Sequence, residues 1–163
     1  MYITEKYWGE MIGGSDDSLT LGEYFADKGK NELTLKEIFE DFGIDDPDFD
    51  FKQGEEPVTV AFKSGLEPEI YYAIDVIMDL AAILLECRMN GSADLSELYN
   101  IDLDMKDPVI SVTSSTAEED IMKNVLSDLV ADPMGYSLSE MCDEEEMQQL
   151  ADLCEGLVKE LFE

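Results

Sequence analysis

A mainly helical α+β fold is predicted by three observations. One long stretch is apolar around almost its whole circumference, several shorter stretches carry the residues that begin and end helices, and two β-branched runs have the length of strands. The expected arrangement is a small sheet of two to four short strands packed around a long central helix. At 163 residues with 45% hydrophobic content, the chain is long enough to form one globular domain with a proper core, here residues 1–163.

The long stretch is Pro68 to Asn90, and everything between Ile70 and Leu85 except Asp75 and Asp79 is apolar or aromatic. A helix greasy on most sides belongs in a core, and about 20 residues span roughly 30 Å, the width of a small domain. Asp75, Asp79 and Glu86 share one narrow line along it and are expected to mark an edge facing water. The alternative for Asp75 and Asp79 is a neighbouring pair that holds a proton or a divalent ion. Pro68 and Glu69 suit the helix start, and Asn90-Gly91 supplies the stop. These acids and Arg88 interrupt the run too often for a membrane span.

In chain order, Met1 to Ile12 carries Tyr2, Ile3, Tyr7, Trp8, Met11 and Ile12 with polar residues between and predicts an edge strand or strand and turn, followed by a loop at Gly13-Gly14-Ser15-Asp16-Asp17-Ser18. Residues 19–43 contain a duplication, L-T-L-x-E-x-F-x-D-x-G, at Leu19 to Gly29 and Leu33 to Gly43. Thr20 with Glu23 and Thr34 with Glu37 read as capping boxes, Gly29 and Gly43 as left-handed stops, and the two short helices as a hairpin. Two copies are too few for a solenoid. Val58 to Phe62 and Pro108 to Thr113 read as strands, and Ser96 to Tyr99 as a helical turn. Thr116 with Glu119 predicts a helix to about Ala131, stopped by Pro133 and Gly135. Asp143 with Glu146 opens an amphipathic helix over 143–163.

Charge is the unusual quantity: 40 acidic residues against 10 basic, net −30, with no histidine and Arg88 as the single arginine. Such a surface repels phosphate backbones and anionic membranes, so neither nucleic acid nor membrane is an expected partner, whereas a basic protein is. Cys87, Cys142 and Cys154 are odd in number and lack a framework spacing, which suits a reducing cytoplasm. The stretch MYITEKYWGEMIGG carries neither a secretory nor a lipidation signal, so the chain is expected to stay where it is made.

Without histidine, Ser-His, Cys-His and His-metal constellations are impossible, and no phosphate-cradling glycine motif occurs. No catalytic residue, cofactor or metal site is therefore expected. Asp46-x-Asp48-x-Asp50 resembles the first half of a calcium loop. It has Phe51 where glycine must turn the chain and Pro57 where a bidentate glutamate belongs. Residues Ile44 to Pro57 are better read as an exposed acidic loop in which Asp45, Asp46, Asp48, Asp50, Glu55 and Glu56 supply charge and Phe49 and Phe51 apolar anchors for a cationic partner. Asp16 and Asp17 extend that surface. A net charge far beyond the roughly 2 to 8 that solubility asks of a small domain supports the binding reading.

Tyr7-Trp8, the run Ile12 to Leu21 and the block Tyr72 to Cys87 together resemble bacterial immunity proteins of contact-dependent inhibition or polymorphic toxin systems. The resemblance covers about half the chain. It implies a cytoplasmic, non-enzymatic inhibitor of one cognate toxin domain, often a nuclease, with no residue role that carries over. Joined to the charge, it leads to an acidic inhibitor that covers the basic active-site surface of a toxin's C-terminal domain. A DNA mimic that blocks restriction or nucleoid proteins uses the same electrostatics, and a carboxylate and metal enzyme or a halophilic surface are the remaining alternatives.

Overall fold

The computed structural model describes residues 1–99 and 103–163. It is an α+β fold, 56% helical. Its helices are α1 (Tyr2–Lys6), α2 (Asp16–Lys28), α3 (Leu35–Phe42), α4 (Ala73–Asn90), α5 (Leu95–Leu98), α6 (Thr116–Ala131) and α7 (Glu144–Phe162), with 3-10 turns at Pro133–Gly135 and Ser137–Glu140. The strands are β1 (Glu32–Thr34), β2 (Val58–Thr59), β3 (Glu69–Ile70), β4 (Ala93–Asp94) and β5 (Val109–Thr113). They form a three-stranded sheet in the order β1-β5-β4 and a two-stranded sheet, β2-β3. Strand β1 runs parallel to β5 with Leu33 opposite Val112, and β4 runs antiparallel to it with Ala93 opposite Ile110.

Every residue of α4 from Ala73 to Cys87 is buried, and the helix packs against α1, α2, α6, α7, β4 and β5. The apolar circumference drives this, because every face except the narrow line of acids would expose a row of Ile, Leu or Ala to water. Arg88 ties its far end to both C-terminal helices: the guanidinium pairs with Glu119 of α6 and donates to the Leu161 carbonyl of α7 at 3.0 Å. The line of acids does not face water. Asp75, Asp79 and Glu86 are all buried, and Glu86 accepts the Ile3 backbone N–H at 3.0 Å and the Asn90 amide at 2.7 Å.

That contact also corrects the N-terminal segment, which is the helix α1 rather than a strand. Ile3 and Tyr7, four apart, are both buried, and the Tyr7 N–H closes a helical turn on the Ile3 carbonyl at 2.9 Å. The helix α4 begins five residues later than Pro68 suggests, because the chain before it is used in a hairpin. Residues Glu69–Ile70 pair with Val58–Thr59, and the Val60 N–H donates to the Pro68 carbonyl at 2.9 Å.

Helix ends are legible where the capping partners are local. Thr34 with Glu37 and Asp143 with Glu146 form complete capping boxes, and Gly29 and Gly43 sit at φ 64° and 69° as left-handed stops. Two expected boxes are displaced. Ser15 caps α2, so Thr20 lies inside the helix with its hydroxyl donating to the Asp16 carbonyl. Ser115 precedes α6 and engages Glu118, which frees Glu119 for Arg88. The two copies of the repeat meet through Tyr24, whose ring packs edge-on against Phe42 and whose hydroxyl donates to Asp41 at 2.7 Å.

Candidate functional site

The loop Gly9–Ser15 and the first turn of α2 lie across the buried acids of α4. Gly13, at φ 92°, donates its N–H to Asp79 Oδ1 at 2.9 Å while the Trp8 ring covers it. A Cβ at Gly13 would stand 2.1 Å from that ring. Trp8 is fixed in turn by its indole N–H donating to the Leu98 carbonyl at 2.9 Å and by an edge-to-face contact with Tyr99. Ser15 accepts the Ser18 N–H at 3.0 Å and starts α2.

Asp17, expected on the outer surface, is turned inward instead. Its two carboxylate oxygens accept the backbone N–H groups of Tyr71 and Tyr72 at 3.0 and 2.8 Å. Tyr72 is the residue that precedes α4, and its side chain makes no cap hydrogen bond. Asp17 holds the two backbone N–H groups just before the helix, and its anionic group sits near the positive end of α4.

Asp17, Asp75 and Asp79 thus form a chain of carboxylates between α2 and α4. Burial raises the Asp75 carboxyl to about 7, the neighbouring Asp17 charge adds to this, and the Ser15 hydroxyl eases it only in part. Asp79, 1% exposed, is driven well above the ordinary carboxylate range by burial, with the charges of Asp75 and Asp17 adding to this and the Ser18 hydroxyl and the Gly13 N–H opposing it. Among the described residues, Asp79 Oδ2 and the Tyr99 hydroxyl are buried without a hydrogen-bond partner. Among the described residues no group of three or more acids and cysteines is placed to hold a metal ion.

Asp75 forms the floor of a cleft of about 440 Å³. The loop before α2 contributes Glu10 and Met11, the entry to α4 contributes Tyr71 and Tyr72, and the side towards α7 contributes Leu138, Met141, Cys142, Glu146, Gln149 and Leu150. Its lip carries Tyr71 at 52% and Met141 at 70% exposure. The volume lies within the range of about 300 to 1,000 Å³ typical of ligand sites.

The predicted acidic loop is divided. Asp45, Asp46, Asp48, Asp50, Glu55 and Glu56 are exposed, as is Asp16. Phe51 is buried and Phe49 half-buried, packed edge-to-face on each other at 4.8 Å, so the pair cements the loop to the core near Ile121 and Val125 instead of standing out as two free anchors. Asp46 and Asp50 accept the N–H groups of Asp48 and Lys52 at 2.9 and 3.0 Å, which holds the loop in tight turns. The loop reaches the cleft at its end: Gly54 lies against the Tyr72 ring, and the Ser137 N–H donates to the Lys52 carbonyl at 2.7 Å. Asp16 stands at the cleft mouth with Asp17 behind it. Sequence reasoning missed the cleft because its walls come from four separate stretches. The one available signal was the pairing of Asp75 and Asp79 on an otherwise apolar helix.

The class this geometry defines is an acidic α+β protein without histidine, built on a buried helix and opened by a carboxylate-floored cleft. More narrowly, a family model described as Immunity protein 68 (Imm68) matches residues 2–161, and the chain belongs to that family. No curated protein and no solved structure matches it. Membership of an immunity-protein family points to the neutralisation of a toxin, generally by a non-enzymatic inhibitor. Of the stretches that carry the resemblance, Ile12 to Leu21 and Tyr72 to Cys87 meet at the acids, and Trp8 of the Tyr7-Trp8 pair covers Gly13 beside them. Among the described residues no helix is long and apolar enough to cross a membrane.

Proposed function

We infer that this chain is a cytoplasmic immunity protein of a contact-dependent inhibition or polymorphic toxin system. It binds the C-terminal domain of its cognate toxin, a nuclease, and neutralises it without chemistry by seating a carboxylate-rich face on the toxin's basic surface. The observation that carries this reading is the set of exposed carboxylates at Asp45, Asp46, Asp48, Asp50, Glu55, Glu56 and Asp16 on a chain of net charge −30 whose family is one of immunity proteins. An enzyme that grips nucleic acid needs a cationic site, and an opposing anionic face gains steered encounter and selectivity from it. The same charge disfavours nucleic acid and anionic membranes as partners.

The test is to co-produce the toxin domain encoded beside this gene with the wild-type chain and with the quadruple variant Asp45→Asn, Asp46→Asn, Asp48→Asn, Asp50→Asn. The wild type protects the cell, and the variant associates more slowly with a flatter dependence on salt. An unchanged association rate removes the loop from the interface. Failure of the wild type to bind or protect defeats the reading as a whole.

A further inference from the structure

We propose that the cleft between the start of α2, the entry to α4 and α7 is a receptor for one arginine or lysine side chain of the protein that docks on this face. The proposal rests on the toxin-binding reading and assigns to it a specific contact.

A long cationic side chain has an apolar stem and a charged head, and a site for it needs apolar walls with an anion at the bottom. The cleft has both. Met11, Leu138 and Leu150 line its sides, and Asp75 lies at its floor, only 5% exposed. No lysine, arginine or amino terminus of the described chain pairs with Asp75; the seven ion pairs formed there lie elsewhere. A buried carboxylate without a counter-charge is expensive to keep, and a charge arriving from outside supplies what the fold omits. The mouth repeats the sign, with Glu10, Asp16 and Glu146 around it. Tyr71, half exposed at the lip, offers a ring face to a passing cation. An apolar knob would leave Asp75 buried and still unpaired, and an anion would meet carboxylates at the mouth and at the floor.

The probe is N-acetyl-arginine amide, titrated into the isotopically labelled full chain at pH 8 and low salt and followed by NMR, with N-acetyl-citrulline amide as an uncharged molecule of the same shape. Saturable shifts of the Met141 methyl and the Tyr71 and Cys142 amides are expected with arginine and not with citrulline. Asp75→Asn weakens the interaction at least about tenfold, the effect of losing a charge-assisted hydrogen bond. Tyr71→Ala, which keeps the backbone N–H that Asp17 holds, weakens it severalfold.

Equal shifts from citrulline, shifts confined to residues 45–56, or unaltered binding by a folded Asp75→Asn protein would each overturn the proposal. A chain that protects against the toxin but shows no cleft shift refutes the receptor and leaves the toxin reading standing. A cleft that binds arginine through Asp75 in a chain that fails to protect supports the receptor and refutes the toxin reading.

Discussion

Replacing Asp75 with asparagine should stabilise the unbound protein, by an amount that grows with pH. In the unfolded chain this carboxyl titrates at its ordinary value of 3.8, and in the fold, buried beside Asp17, at about 7. Below pH 3.8 both states carry the proton and the group contributes its full stability. Between the two values the folded state keeps a proton that the unfolded state has lost, so stability falls as pH rises, and above about 7 the loss is complete. At about 1.4 kcal/mol for each tenfold difference in proton affinity, the loss is about 4 kcal/mol. Asparagine has the shape of the neutral acid and no proton to lose. The facing groups, Ser15 before α2 and Asp17 on it, Asp79 on α4, Cys154 on α7, and Glu10, Cys142 and Glu146 around the cleft, are present in both proteins, so the difference isolates position 75 and its coupling to them.

Urea unfolding followed by the fluorescence of Trp8, the single tryptophan, measures this directly at pH 4, 6 and 8. The two proteins should be within about 1 kcal/mol of each other at pH 4, as befits a near-isosteric swap. The variant should lead by about 4 kcal/mol at pH 8. A gap that stays constant across this range would refute the account of Asp75 as a buried, uncompensated acid. A gap that shrinks with pH would reverse its sign.

Gly13→Ala should cost about 2 kcal/mol or more, since a side chain at φ 92° is strained and its Cβ would stand 2.1 Å from the Trp8 ring; the same unfolding assay reads it, and a loss below about 0.5 kcal/mol would mean the loop is not seated as described. Asp17→Ala leaves the Tyr71 and Tyr72 N–H groups without their acceptor and should destabilise the fold by about 2 kcal/mol. Hydrogen exchange at those two amides should quicken, and unchanged exchange would show that the entry to α4 does not depend on this contact. Thr34→Ala should cost about 1 kcal/mol because Thr34 caps α3, whereas Thr20→Ala, inside α2, should stay within about 0.5 kcal/mol of wild type; comparable losses at the two positions would restore the symmetric reading of the repeat.

The repeat shows why part of the fold was legible. Capping at Thr34 is decided by Glu37, three residues away, and the stop at Gly43 by its own backbone freedom, so both could be read from adjacent letters. The first copy looks the same in sequence but lies downstream of Ser15, which starts the helix a turn earlier and takes the cap from Thr20. The candidate site shows the opposite case. The exposed acids of residues 45–56 could be read from composition, but the inward turn of Phe51 against Phe49 could not.

By itself the sequence determined the α+β class, the burial of a helix apolar around most of its circumference, the capping boxes at Thr34 and Asp143, and a net charge of −30 without histidine. Tertiary structure alone decided where the acids of that helix would point. A carboxylate faces water unless donors are brought to it, and the donors here come from far along the chain: Gly13 reaches Asp79 across 66 residues and Ile3 reaches Glu86 across 83, while Asp17 itself accepts the Tyr71 N–H from 54 residues away. Contacts of that span depend on how helices pack, and no local pattern of residues records them.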